Sequence, residues 1–145
     1  KKGRQMSFRH VGLVPEDIEK SIQFYQNFLG FVVEKDMLEK GKFVNNICGI
    51  EDTDVRTVKM SLNGTIALEL LHFYGHHNHA SSKAITEKGY THMALTVENI
   101  DKLYDTMSSC DIEFTTKPLT SPDAKAKVTF CKDPDGNFIE LVQEL

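Results

Sequence analysis

Apolar residues recur along this chain with two periods, near 2 and near 3.6, and the change from one to the other marks its elements. Residues 7–14 are apolar enough for a strand. Pro15, Glu16 and Asp17 then suit a helix start, the proline through its fixed φ and the acids through the positive end of the helix dipole. Ile18, Ile22, Tyr25 and Leu29 follow at helical spacing, and Gly30 reads as the stop. A second strand begins at residues 31–33. Residues 41–54 are polar and rich in Asn and Asp, and read as a loop. Two strands, 55–62 and 65–73, flank Asn63-Gly64, a pair that accepts the positive φ of a tight hairpin turn. The first half therefore predicts β-α-β-β-β.

Residues 74–89 are polar, lack a regular pattern and read as a linker. The second half then repeats the order. Residues 90–97 predict a strand, and 98–110 a helix with Ile100, Leu103, Tyr104 and Met107 on one face. Residues 112–116 predict a strand, 118–125 a loop holding two prolines, and 127–131 a further strand. Asp133-Pro134-Asp135-Gly136 reads as a turn before the last strand, 137–143. The repetition reaches single residues: RHVGLVPEDIEK at 9–20 and THMALTVENIDK at 91–102 match at an offset of 82 without a gap. The expected fold class is α+β, two tandem β-α-β-β-β modules forming a curled mixed sheet. The modules span about 7–73 and 90–145 within one domain covering 7–145.

Composition narrows the function classes. Of 145 residues, 40% are hydrophobic, enough for a core. A formal charge of -4 argues against a nucleic-acid surface. No apolar run approaches the ~18 residues of a membrane span, and no segment reads as a signal peptide, so a cytoplasmic protein is expected. KKGRQ at 1–5 reads as a loose basic tail. Cys48, Cys110 and Cys131 are odd in number and fit no CxxC spacing, so they are expected as reduced thiols.

Each module ends in a strand with one glutamate inside an apolar run, IALELLHF and NFIELVQE. Alternation turns Glu69 away from Leu68 and Leu70, and Glu140 away from Ile139 and Leu141. A carboxylate on an apolar sheet face costs several kcal/mol unless it is paired or bound to a metal. Each module also offers one histidine on its first strand. His10, Glu69, His92 and Glu140 thus form a mixed N/O set suited to one divalent ion, Zn, Ni, Co, Mn or Fe(II), with open positions for catalysis. His72, His76, His77 and His79 lack repeat counterparts and lie at or in the linker. Glu51, Asp52 and Asp54 read as a solvated loop. Arg56 and Lys59 lie at odd spacing on one strand, so at most one faces the site and an anionic substrate.

The segments HVGLVPEDIEKSIQFYQNFLGF, GTIALELLHFYG, GYTHMALTVENID and DPDGNFIELVQ resemble the vicinal oxygen chelate superfamily, which includes glyoxalase I and methylmalonyl-CoA epimerase. The resemblance covers residues 8–145. It implies a glyoxalase-like fold, a homodimer, and a metal centre at His10, Glu69, His92 and Glu140. A four-ligand set weighs against the bleomycin-binding and the iron-dependent ring-cleaving members, which remain the alternatives. What remains is a lyase or isomerase that moves a proton next to a carbonyl through an enediolate or enolate, with Glu140 as first-choice base and Glu69 as second. Glyoxalases of this kind carry an arginine on the first strand for a glutathione carboxylate. The matching position here is Val14, which weighs against glutathione. The LELLHFYG segment is similar to the epimerase branch. The substrate expected is a small carbonyl compound of the thioester or hemithioacetal type.

Overall fold

The computed structural model describes residues 6–77 and 83–145. The expected basic tail and His79 lie outside the described residues. The chain divides into two compact units, Lys1–His79 and Ala80–Leu145.

In the first unit, β1 (Val11–Leu13), α1 (Ile18–Asn27), β2 (Val32–Glu39), α2 (Lys42–Cys48), β3 (Val55–Leu62) and β4 (Thr65–Phe73) follow in order. The sheet runs β1-β4-β3-β2, with β1 parallel to β4 and the other pairs antiparallel. In the second unit, β5 (His92–Thr96), α3 (Ile100–Ser109), β6 (Leu119–Thr120), β7 (Ala126–Lys132) and β8 (Phe138–Glu144) form the same order, β5-β8-β7-β6. The class is α+β with two mixed four-stranded sheets.

The repeated E-[D/N]-I motif has a local cause. Asp17 caps α1, its Oδ1 accepting from the Glu19 and Lys20 amides, and Asn99 caps α3 by accepting from the Lys102 amide. Each cap satisfies helix donors that would otherwise lack partners. The isoleucine after each cap, Ile18 or Ile100, is buried. Pro15 and Glu16 precede the helix rather than opening it.

Each helix covers one face of its sheet. Under α1 lie Val58, Met60, Leu68 and Leu70, and under α3 lie Cys131, Ile139 and Leu141, all buried. Burying one such aliphatic contributes about 2 kcal/mol, so these residues decide which face the helix takes. The alternate residues of the same strands are thereby left on the open face.

The structure departs from the pattern at several places. Residues 41–54 are not all loop: α2 occupies Lys42–Cys48. The Asn45 amide donates to the carbonyls of Gly41 and Thr53, and its oxygen accepts from the Thr53 amide. Gly49, at φ 68°, supplies the left-handed stop. Only Val44 and Asn45 of that helix are buried, and Phe43 and Ile47 are exposed, so no apolar stripe advertises it. The strand expected at 112–116 is a single bridge, Phe114 to Cys131. The chain bends at 115–117 and pairs again only as β6, inside the expected loop. Pro118 has no amide hydrogen for a ladder, and the Thr116 carbonyl is taken by the Thr129 hydroxyl.

Candidate metal centre

In the first unit β4 aims Glu69 at the open face, between Leu68 and Leu70, which are fully buried on the other. His10 lies just before β1, and the residue two further on, Gly12, is the cross-strand partner of Glu69. His10 Nε2 stands 3.6 Å from Glu69 Oε1. The second unit repeats this register. Ala94, two residues after His92, is partnered with Glu140, and His92 Nε2 stands 3.1 Å from Glu140 Oε1. Both glutamates are only part exposed, with 15% and 25% of their side-chain surface open.

Each pair fits one divalent ion. Two donors about 2.1 Å from a metal lie about 3.0 Å apart at a right angle and about 3.4 Å apart at a tetrahedral one. The observed separations of 3.6 and 3.1 Å lie within about 0.2 Å of the tetrahedral and the right-angle value respectively. The donors, imidazole nitrogen and carboxylate oxygen, suit borderline divalent ions. Among the described residues no three His, Cys, Asp or Glu side chains gather into one metal-binding group. The candidate ligands stand as one pair in each unit.

Thr91 belongs with the second pair. Its Oγ1 lies 2.7 Å from His92 Nδ1. A hydroxyl can receive from or donate to that nitrogen, so Thr91 holds the ring while Nε2 serves Glu140 or a metal. Thr91 gives no repeat signal because Arg9 holds the equivalent position. The Phe130 ring meets His92 edge-on at 5.0 Å and is cross-strand from Glu140.

The two cations of β3 separate as alternation requires. Arg56 lies on the helix side, where it forms two hydrogen bonds to Asp36 at 2.9 and 2.7 Å and one to Glu19. The Asp36 hydrogen bond, then that of Glu19, raises the guanidinium above its ordinary value, and the Arg56 hydrogen bond holds the Asp36 carboxyl below its own. Lys59 is cross-strand from Glu69 on the open face, with its Nζ 3.8 Å from Glu69 Oε2.

The other candidates lie elsewhere. His72 stacks edge-on against Tyr74, and His76 Nε2 meets the Thr53 hydroxyl at 3.1 Å. His77 is exposed. Asp54 pairs with Lys40 at 3.7 Å, and the Glu51 carbonyl accepts from Thr53. Asp52 turns the chain at φ 44°. All three cysteines are free; Cys48 and Cys110 are exposed, while burial pushes the Cys131 thiol up to about 12. Val14 is exposed at the end of the first strand.

Comparison with known proteins gives consistent matches. The family model described as "Glyoxalase/Bleomycin resistance protein/Dioxygenase superfamily" matches residues 7–141. A lactoylglutathione lyase of Pseudomonas putida is 28% identical, over 96% of this chain and 86% of its own length. The crystal structure of a glyoxalase family protein from Bacillus cereus superposes with a TM-score of 0.89 at 20% identity, covering 99% of this chain and 97% of the other. The trypanothione-dependent glyoxalase I of Leishmania major superposes with a TM-score of 0.67 at 26% identity, covering 98% and 88%.

Proposed function

Because this chain belongs to the glyoxalase/bleomycin resistance protein/dioxygenase superfamily, we propose that it is a divalent-metal-dependent lyase or isomerase that moves a proton next to a substrate carbonyl. The observation that carries the reading is the twice-made His–Glu pair, in one register, on the open face of each sheet. The relatives named lactoylglutathione lyase support a lyase among the family's chemistries.

His10, Glu69, His92 and Glu140 would hold the ion, one pair from each module, drawn from one chain or from two chains of a homodimer. When bound, a zinc, nickel, cobalt or manganese ion supplies Lewis acidity that favours negative charge on a substrate oxygen. The residues do the rest. Glu140 takes the proton from the carbon beside the carbonyl and returns it to the neighbouring carbon or the opposite face. Glu69 is the second carboxylate, used where a base is needed on each face. Thr91 fixes the His92 ring. Phe130, opposite Glu140, and Phe138, two residues before it, share its face and give that carboxylate an aromatic border.

The test is solvent exchange. The metal-loaded protein is incubated in deuterium oxide with 2-oxoaldehyde hemithioacetals and with chiral thioesters, and deuterium at the carbon beside the carbonyl is followed by NMR. Metal-dependent incorporation is expected, falling at least ~100-fold in Glu140→Gln, the usual loss for a general base. Full turnover by that variant contradicts the assignment. Binding without exchange favours the non-catalytic binder, and oxygen uptake with iron favours the ring-cleaving dioxygenase.

A further inference from the structure

We propose that Lys59, with Lys35 beside it, forms an anion subsite on the open face of the first sheet. The substrate would then carry a carboxylate or similar anionic group near the oxygens that it presents to the metal. The proposal rests on the metal reading above and names the substrate class of that site.

The register places the groups in one row. Lys35 is partnered with Lys59, Lys59 with Glu69, and Glu69 with Gly12, so all four lie on the same face. One ammonium, that of Lys59, therefore stands beside the carboxylate, and Lys35 lies one strand further along the row. Two nearby acids turn to hydroxyls instead, Glu39 accepting from Thr57 and Glu34 from Ser61, and among the described residues neither forms an ion pair with Lys35 or Lys59. Among the described residues Lys35 has no acidic partner, and it is exposed.

The Lys59–Glu69 contact is loose. At 3.8 Å it is well beyond the ~2.8 Å of a charge-assisted hydrogen bond, so the ammonium keeps its donors for another acceptor. Lys59 is 23% exposed, enough to be reached and little enough to be poorly screened. Once Glu69 serves a divalent cation, its charge is shared, and the lysines are left as the uncompensated charge of the row. Gly12 leaves room at the end of the row: a Cβ there would meet only Leu71 Cδ1, at 3.8 Å.

The equivalent row of the second module carries no cation at this place. Phe130 stands opposite Glu140 where Lys59 stands opposite Glu69, and Ala94 replaces Gly12. The repeat therefore keeps the metal donors and departs at the residue beside them. Arg56, the other cation of β3, is fully engaged with Asp36 and Glu19 on the helix side and leaves the role to Lys59.

The test compares metal-chelating probes that differ only in an acid group. Acetohydroxamate, succinic monohydroxamate and glutaric monohydroxamate are titrated into zinc-loaded protein by calorimetry. The expected result is that at least one acid-bearing probe binds about tenfold more tightly than acetohydroxamate, the gain of one partly screened ion pair. Lys59→Met is expected to erase that preference, and Lys59→Arg to keep most of it. Raising the salt concentration should reduce it. No preference in the wild-type protein, or the same preference in Lys59→Met, overturns the subsite and leaves the metal centre standing. Failure of all three probes to bind the zinc-loaded protein contradicts the metal centre and the subsite together.

Discussion

Arg56 and Lys59 sit three residues apart on β3 and do unlike work. Arg56 joins α1, β2 and β3 through Glu19 and Asp36. Arg56→Met is expected to cost about 1 kcal/mol in denaturant unfolding, kept small because Asp36 and Glu19 are well exposed. The Asp36 carboxyl is held below its ordinary 3.8 by the Arg56 hydrogen bond. Its contribution is therefore present above 3.8 and lost as pH falls below it, so the wild-type and Arg56→Met stabilities should converge in acid. At Cys131 the shift has the other sign: burial favours the neutral thiol, and the stabilisation lasts below the ordinary 9.0 and fades as pH rises towards about 12. A thiol reagent at pH ~8 should accordingly titrate Cys48 and Cys110 in the folded protein, and Cys131 only after unfolding. The odd spacing of Arg56 and Lys59 was enough to send them to opposite faces, but not to say which faces the site. A bulge decides that. The hairpin begins with Leu62 opposite Thr65, and a slip between Met60 and Ser61 moves Lys59 from the Leu68 row to the Glu69 row. Such a slip leaves no mark in the apolar pattern, since it changes pairing and not composition.

At the scale of elements, the regular parts follow from periodicity and capping, and the irregular parts from single polar contacts. Both long helices could be read from apolar spacing, and Asp17 and Asn99 give each a capped start. The short α2 could not, because a buried asparagine holds it in place of an apolar stripe. Asn45→Ala removes three hydrogen bonds, one of them reaching Thr53 as an acceptor. It should lower the protection of residues 42–53 by about 2 kcal/mol in hydrogen exchange followed by mass spectrometry. The β4 and β8 strands should keep their protection, since their cores lie under α1 and α3. The strand misplaced to 112–116 has a similar lesson. Its composition favours extended backbone, yet Pro118 and the bend before it delay pairing until Leu119.

For the whole molecule, the repeat explains why the candidate donors were legible. A lone strand histidine or glutamate has many bland explanations; the same two residues in the same register of two sheets have few. Gly12 and Ala94, each two residues after a histidine and opposite a glutamate, show that the equivalence extends to three dimensions. Differences between the halves were less legible, because Lys59 and Phe130 become equivalent only once both registers are known. The proposed function requires His10, Glu69, His92 and Glu140 to hold one divalent ion. The most direct test is elemental mass spectrometry of the tag-free protein, saturated with zinc, nickel, cobalt or manganese and freed of loose ions by gel filtration. About one tightly held ion per chain is expected, lost when His10→Ala and His92→Ala are combined. A wild-type protein that retains no ion after reconstitution, or a double variant that retains as much as the wild type, would contradict it.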